Sequence, residues 1–136
     1  NYKITNLGTP TVATDAATKG YVDGISINKS ILGPTDDLET IAPGIAYTPM
    51  NNTDRVVFSL PNTMAAGEEF YIRGFGSAGW SITQQTGQSI YFGNTNSTIT
   101  TGGLASTVAT DCVGIECIVA NTTFLVFSVV GNLTVT

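Results

Sequence analysis

From residue 54 to residue 136 the chain repeats one pattern, a short run rich in Val, Ile, Phe and Thr followed by a break of Gly, Asn or Pro. The runs are "DRVVFSL", "EEFYIRG", "GWSITQ", "QSIYFG", "DCVGIECIVA", "TFLVFSVV" and "NLTVT". β-Branched and aromatic residues suit a pleated, half-buried surface, and the breakers stop each run after a few residues. Seven or eight such strands from about residue 44 predict an all-β head, read as an antiparallel β-sandwich, jelly roll or small barrel.

Alternation assigns faces to these strands. Phe70 and Ile72 point inward while Tyr71 and Arg73 point out. Ile90 and Phe92 point inward while Tyr91 points out. Val113, Ile115, Cys117 and Val119 share a face opposite Glu116. "TFLVFSVV" departs from this rule, with Phe124 and Val126 on one side and Leu125, Phe127 and Val129 on the other. A strand apolar on both sides needs cover on both sides. One cover is the domain core, and a neighbouring subunit is the second.

Composition narrows the chemistry. The chain has 136 residues, 42% of them hydrophobic, enough for one compact domain. Charged residues make up 11%, against about a quarter in ordinary globular domains. Thr, Gly, Asn and Ser fill the polar positions, as in extracellular or particle-borne β proteins. The net charge is −5, and Lys3, Lys19, Lys29, Arg55 and Arg73 are scattered, which argues against nucleic-acid binding. There is no histidine, which removes Ser-His-Asp and Cys-His catalysis and histidine metal ligation. No cofactor or metal is expected. No run approaches the ~20 apolar residues of a membrane span, so the chain does not read as membrane-inserted. Cys112 and Cys117 lie five apart in one strand, about 16 Å at ~3.3 Å per residue, too far to pair with each other.

The first 25 residues differ. "NYKITNLGTPTVAT" is polar and extended, and "TDAATKGYVDG" carries a helix start at Thr14 or Asp15 and a stop at Gly24. The expected element is a short helix at about 15–23 in a stem over 1–25. Helices this short are marginal alone, so copies of itself are the partner expected for it. Residues 26–43 read as a linker with Asp36 or Asp37 capping a turn, and residues 44–136 as the head. Starting at Asn1 rather than Met, the chain reads as a piece of something longer.

"GFGSAG" spells G-x-G-x-x-G at Gly74, Gly76 and Gly79. A dinucleotide site needs a strand before these glycines and a helix after them. The next residues, "WSITQQTG", alternate like a strand instead. A nucleophile elbow at Ser77 would need glycine at the position of Phe75, and a histidine. The glycines therefore read as a hairpin turn that returns Trp80 and Ile82 to the core.

The segment "ITNLGTPTVATDAATKGYVDG", and "DAATKGYVD" within it, resembles a stretch of tail-fibre and tail-spike proteins of tailed bacteriophages. "AGEEFYIRGFGSAGWSITQQTGQSIYFGN" and "ECIVANTTFLVFSVVGNLTV" resemble small β-domains at the tips of viral fibres. The resemblance implies a parallel homotrimer at the distal end of a fibre in the virion. It implies adsorption to a host-surface glycan, lipopolysaccharide or outer-membrane protein, and it carries over no catalytic residue. The other expectations are a purely structural trimerisation module, a fragment of a polysaccharide-degrading spike, and a monomeric lectin-like domain. Sugar sites combine an aromatic face with amide partners. The binding candidates are Tyr71 and Tyr91 with Arg73 and Gln85, and a loop with Asn94, Asn96, Ser97 and Thr98.

Overall fold

The computed structural model describes residues 28–33, 36–51 and 53–136. The expected stem, with its helix at about 15–23, lies outside them. The described residues form strands and connections, without a helix: β1 (Asn28–Leu32), β2 (Leu38–Thr40), β3 (Ile45–Pro49), β4 (Val56–Ser59), β5 (Glu69–Arg73) and β6 (Trp80–Thr83) come first. After them come β7 (Ser89–Phe92), β8 (Thr95–Asn96), β9 (Gly103–Ser106), β10 (Cys112–Val119), β11 (Thr123–Val130) and β12 (Leu133–Val135).

The fold is all-β, with two mixed sheets. Sheet A has the order β1-β3-β5-β10-β11-β7-β8, and sheet B the order β12-β9-β6-β4-β2. One core joins them. Tyr47, Phe70, Ile72, Ile90, Ile115 and Phe124 come from sheet A, and Val56, Phe58, Trp80, Ile82 and Leu104 from sheet B. The Tyr47 and Phe58 rings meet between the sheets at 5.2 Å. Two sheets closing on one apolar layer are compatible with a β-sandwich.

The antiparallel, jelly-roll-like expectation is corrected by the pairing. β1–β3 and β3–β5 are parallel in sheet A, as are β2–β4 and β4–β6 in sheet B. The reason is the path of the chain. Its first six strands alternate between the sheets, so each return to a sheet runs in the same direction as the last. The chain thus winds in coils before β9 to β12 add antiparallel pairs. The segment read as a linker contributes two strands, β1 and β2, to the first coil.

This winding also corrects the hairpin. β5 and β6 lie in different sheets, so "GFGSAG" is a crossover stacked on the β3–β4 crossover one coil earlier. Gly76 N–H donates to Pro49 O and Ala78 N–H to Asn51 O, while Gly74 N–H donates to Asp111 O. These donors are already bonded to carbonyls, unlike the free N–H groups of a phosphate-binding turn. Trp80 is fully buried, as expected, and its Nε1 donates to Asp111 O.

A bulge reshapes β11. Gly114 pairs with Ser128 and Ile115 with Val126, leaving Phe127 as the extra residue. Val129 is thereby moved into register with Val113 and off the face of Leu125 and Phe127 to which alternation assigns it. A second irregularity between Cys117 and Val119 leaves Val119 exposed rather than in the core row. Both cysteines are free thiols, Cys117 buried and Cys112 half-buried.

Candidate functional site

Three candidate residues, Tyr91, Asn94 and Asn96, gather at one edge of sheet A, while Thr98 lies past β8, where its N–H donates to Thr136 O. β8 is that edge, and β1, where the chain enters the sheet, is the opposite one. Tyr91 and Asn96 are directly cross-strand in the β7–β8 pair. Tyr91 is 43% exposed, and Asn94, Asn96 and Thr98 are also exposed. Gly93 turns the hairpin at φ 59°, the left-handed region open to glycine. Thr95 Oγ1 closes the turn by donating to Phe92 O at 3.0 Å. An aromatic face and two exposed amides therefore project together from the edge farthest from β1. Such a set can stack on a sugar ring and bond its hydroxyls.

The remaining candidates are elsewhere. Ser97, expected in an exposed loop, is fully buried, and its Oγ accepts from Ile90 N–H at 2.7 Å. A serine hydroxyl is small enough to enter the core when a backbone donor meets it. Gln85 is not beside the tyrosines. Its Nε2 reaches Ser59 Oγ at 2.9 Å and Leu60 O at 3.1 Å on the sheet B side.

Its neighbour Gln88 is buried and bonded at both ends of its amide. Nε2 donates to Pro61 O and Asn121 O, and Oε1 accepts from Gln85 N–H. Three chain segments are tied by this one neutral side chain. Gln88→Leu keeps the volume but strands these groups, and should destabilise the chain by about 2 kcal/mol, read as a lower urea midpoint.

Tyr71 and Arg73 sit on the middle of sheet A, separated from Tyr91 by β10 and β11, about 14 Å at strand spacing. Tyr71 belongs to an aromatic group that alternation reveals only in part. Its ring meets Phe127 edge-on at 5.8 Å and 90°. Both rings lie over Gly114, where an added Cβ would come within 2.9 Å of Phe127 and 3.1 Å of Tyr71. The Tyr71 hydroxyl donates to Glu69 Oε2 at 2.8 Å. That bond, then burial and the carboxylate's charge, push the phenol above its usual pKa, with Arg73 opposing.

Register places Glu69 opposite Glu116, Glu116 opposite Leu125 and Leu125 opposite Tyr91. Arg73 ends the same face, opposite Cys112, which in turn faces Val130. Phe127 is 44% exposed and Val130 66%. The outer face of sheet A is thus apolar and bare in its middle, with two carboxylates at one end and a guanidinium at the other. Phe127 is legible from the broken alternation of β11, whereas the Glu69–Glu116 juxtaposition depends on strand order.

Other features are less suited to recognition. An open concavity of about 620 Å³, lined by Pro43, Thr63, Met64, Ala65, Glu68, Ala120 and Asn121, has no aromatic wall. Asp36 caps its turn as expected, accepting Gly33 N–H at 2.8 Å. Among the described residues no group of His, Cys, Asp and Glu is arranged to hold a metal.

No family model matches this chain. No curated protein matches it either.

Proposed function

We propose that this chain is a non-catalytic distal module of a phage tail fibre, in which three copies assemble and the β7–β8 edge contacts a host-surface glycan. The observation that carries the reading is the clustering of Tyr91, Asn94 and Asn96 at the sheet edge opposite β1. A stem leading into β1 would leave that edge foremost. The bare aromatic middle of sheet A supports assembly, because exposed contiguous apolar patches, when large, mark interaction surfaces. The resemblance of residues 4–24 to fibre stems supports a threefold arrangement.

Two measurements test this. Sedimentation equilibrium should give three times the 14.2 kDa chain mass, and a monomer at micromolar concentration would refute the trimer. Labelled protein should bind host cells and block phage adsorption. Tyr91→Ala and Asn96→Ala should each weaken that binding about tenfold, the scale of one lost stacking or amide contact, with unchanged melting. A folded trimer that binds no cells would leave only a structural module.

A further inference from the structure

The charges on the outer face of sheet A are polarised along the strands, and that polarity bears on how copies meet. Glu69 starts β5 and Glu116 lies directly across from it on β10. No basic side chain stands in their own row, which continues through Leu125 to Tyr91. Lys29 lies on the same face two strands from Glu69, in the next row with Ala46 and Tyr71. Like charges directly across a strand pair are unfavourable. Arg73 closes the same face four residues on, about 13 Å away at ~3.3 Å per residue. Between the two ends lie Tyr71, Gly114 and Phe127.

We propose that the copies join head to tail across this face, with Arg73 of each set against the Glu69–Glu116 pair of the next. The inference rests on the trimeric reading above and specifies its interface. Two ways of placing three such faces around an axis give opposite electrostatics. With strands parallel to the axis, every copy presents the same end at the same level, and six carboxylates crowd together. With strands crossing the axis, the end of each strand meets the start of the corresponding strand in the next copy. Arginine then meets carboxylate three times around the ring. The chain's path favours the same orientation, because it enters sheet A at β1 and advances across the strands toward β8. The aromatic middle turns inward, and the Tyr91–Asn96 edge stays free at the end.

Charge reversal tests the arrangement on the full chain. Arg73 is exposed, so Arg73→Glu should leave folding intact while weakening trimer formation at least tenfold, by placing like charges at each junction. Glu69→Lys with Glu116→Lys should do the same. Combining all three substitutions should bring association back to within about threefold of the parent. The melting of each variant, followed by circular dichroism at dilution, checks that the subunit still folds. A parent trimer that tolerates Arg73→Glu without loss overturns the proposed junction and leaves the trimer standing. A monomeric parent overturns the trimer beneath it. Mixing the Arg73→Glu variant with the Glu69→Lys/Glu116→Lys variant separates a ring from a twofold pair. Two-membered contacts would be restored in the mixture, whereas a ring of three always retains one repulsive junction. Recovery of a stable mixed dimer would therefore overturn the head-to-tail ring.

Discussion

Asp111→Ala is expected to lower the melting midpoint by about 10 °C, corresponding to about 3 kcal/mol in a chain of this size. Asp111 is fully buried, and its carboxylate collects donors from two connections. Oδ2 accepts Thr107 N–H at 2.6 Å, Val108 N–H at 2.9 Å and the Thr107 hydroxyl at 3.0 Å, and Oδ1 accepts Asn132 N–H at 3.3 Å. Gly131 passes so close, at φ 94°, that a Cβ there would fall 2.0 Å from Oδ1. The side chain thus joins the β9–β10 and β11–β12 connections, and alanine leaves their N–H groups without the acceptor. Burial on its own favours the neutral acid, but the four donors together outweigh it and hold the pKa below the usual carboxylate value. A depressed folded pKa gives stability that is complete above the unfolded value of about 3.9 and is lost as pH falls through the folded value. The parent should therefore lose stability below about pH 4, while Asp111→Asn, already destabilised at pH 7, should lose less over the same range. Equal acid sensitivity in both proteins would assign the acid lability to other carboxylates.

Gly76→Ala should be as damaging, and for a steric reason. A Cβ at Gly76 would lie 2.1 Å from Asn51 O and 2.5 Å from Asn51 N, both backbone atoms of the crossover beneath it. Neither can swing away as a long side chain would. The crossovers must separate, which breaks the bonds from Gly76 N–H to Pro49 O and from Ala78 N–H to Asn51 O. The expected cost is at least about 3 kcal/mol, visible as insoluble expression or a collapsed urea midpoint. Gly44→Ala is the control. Its positive φ of 73° carries backbone strain, but a Cβ there meets nothing within 4 Å, so the loss should be about 1 kcal/mol. Equal effects at the two positions would mean that backbone conformation, rather than close stacking, explains Gly76.

Both substitutions fall on residues whose importance the sequence conceals. Asp111 lies just before β10 in the motif "TDCVGIECIVA", where an aspartate is ordinarily a solvated turn residue. Gly76 belongs to a nucleotide-like spelling, and its actual neighbour lies 25 positions earlier in the chain. Ser97 misleads in the other direction, because polar neighbours on both sides suggest exposure while its hydroxyl has a donor inside. β9, "GLAS", escapes sequence reading because small residues carry little strand signal. The segment 28–40 resembles a linker because edge strands need few apolar residues.

The candidate edge is more legible. Alternation alone turns Tyr91 outward, and Asn94 and Asn96 come next in a glycine-bearing turn. Their separation from Tyr71 has no local signal, since two strands from much later in the sequence lie between them.

Local pattern is enough to establish that this is a β protein, where most of its strands run, and which side of most of them is buried. Those properties follow from alternation, which every residue reports for its own strand. The pairing of the strands is a tertiary property. Alternation is the same in parallel and antiparallel strands, so it cannot distinguish a hairpin from a crossover between sheets. The winding of the first six strands, the stacking of Gly76 on Asn51, and the placing of Glu69 beside Glu116 all depend on that choice. They arise from contacts between residues far apart in the chain, where hydrogen-bond partners and close packing, rather than side-chain preference, select the neighbour.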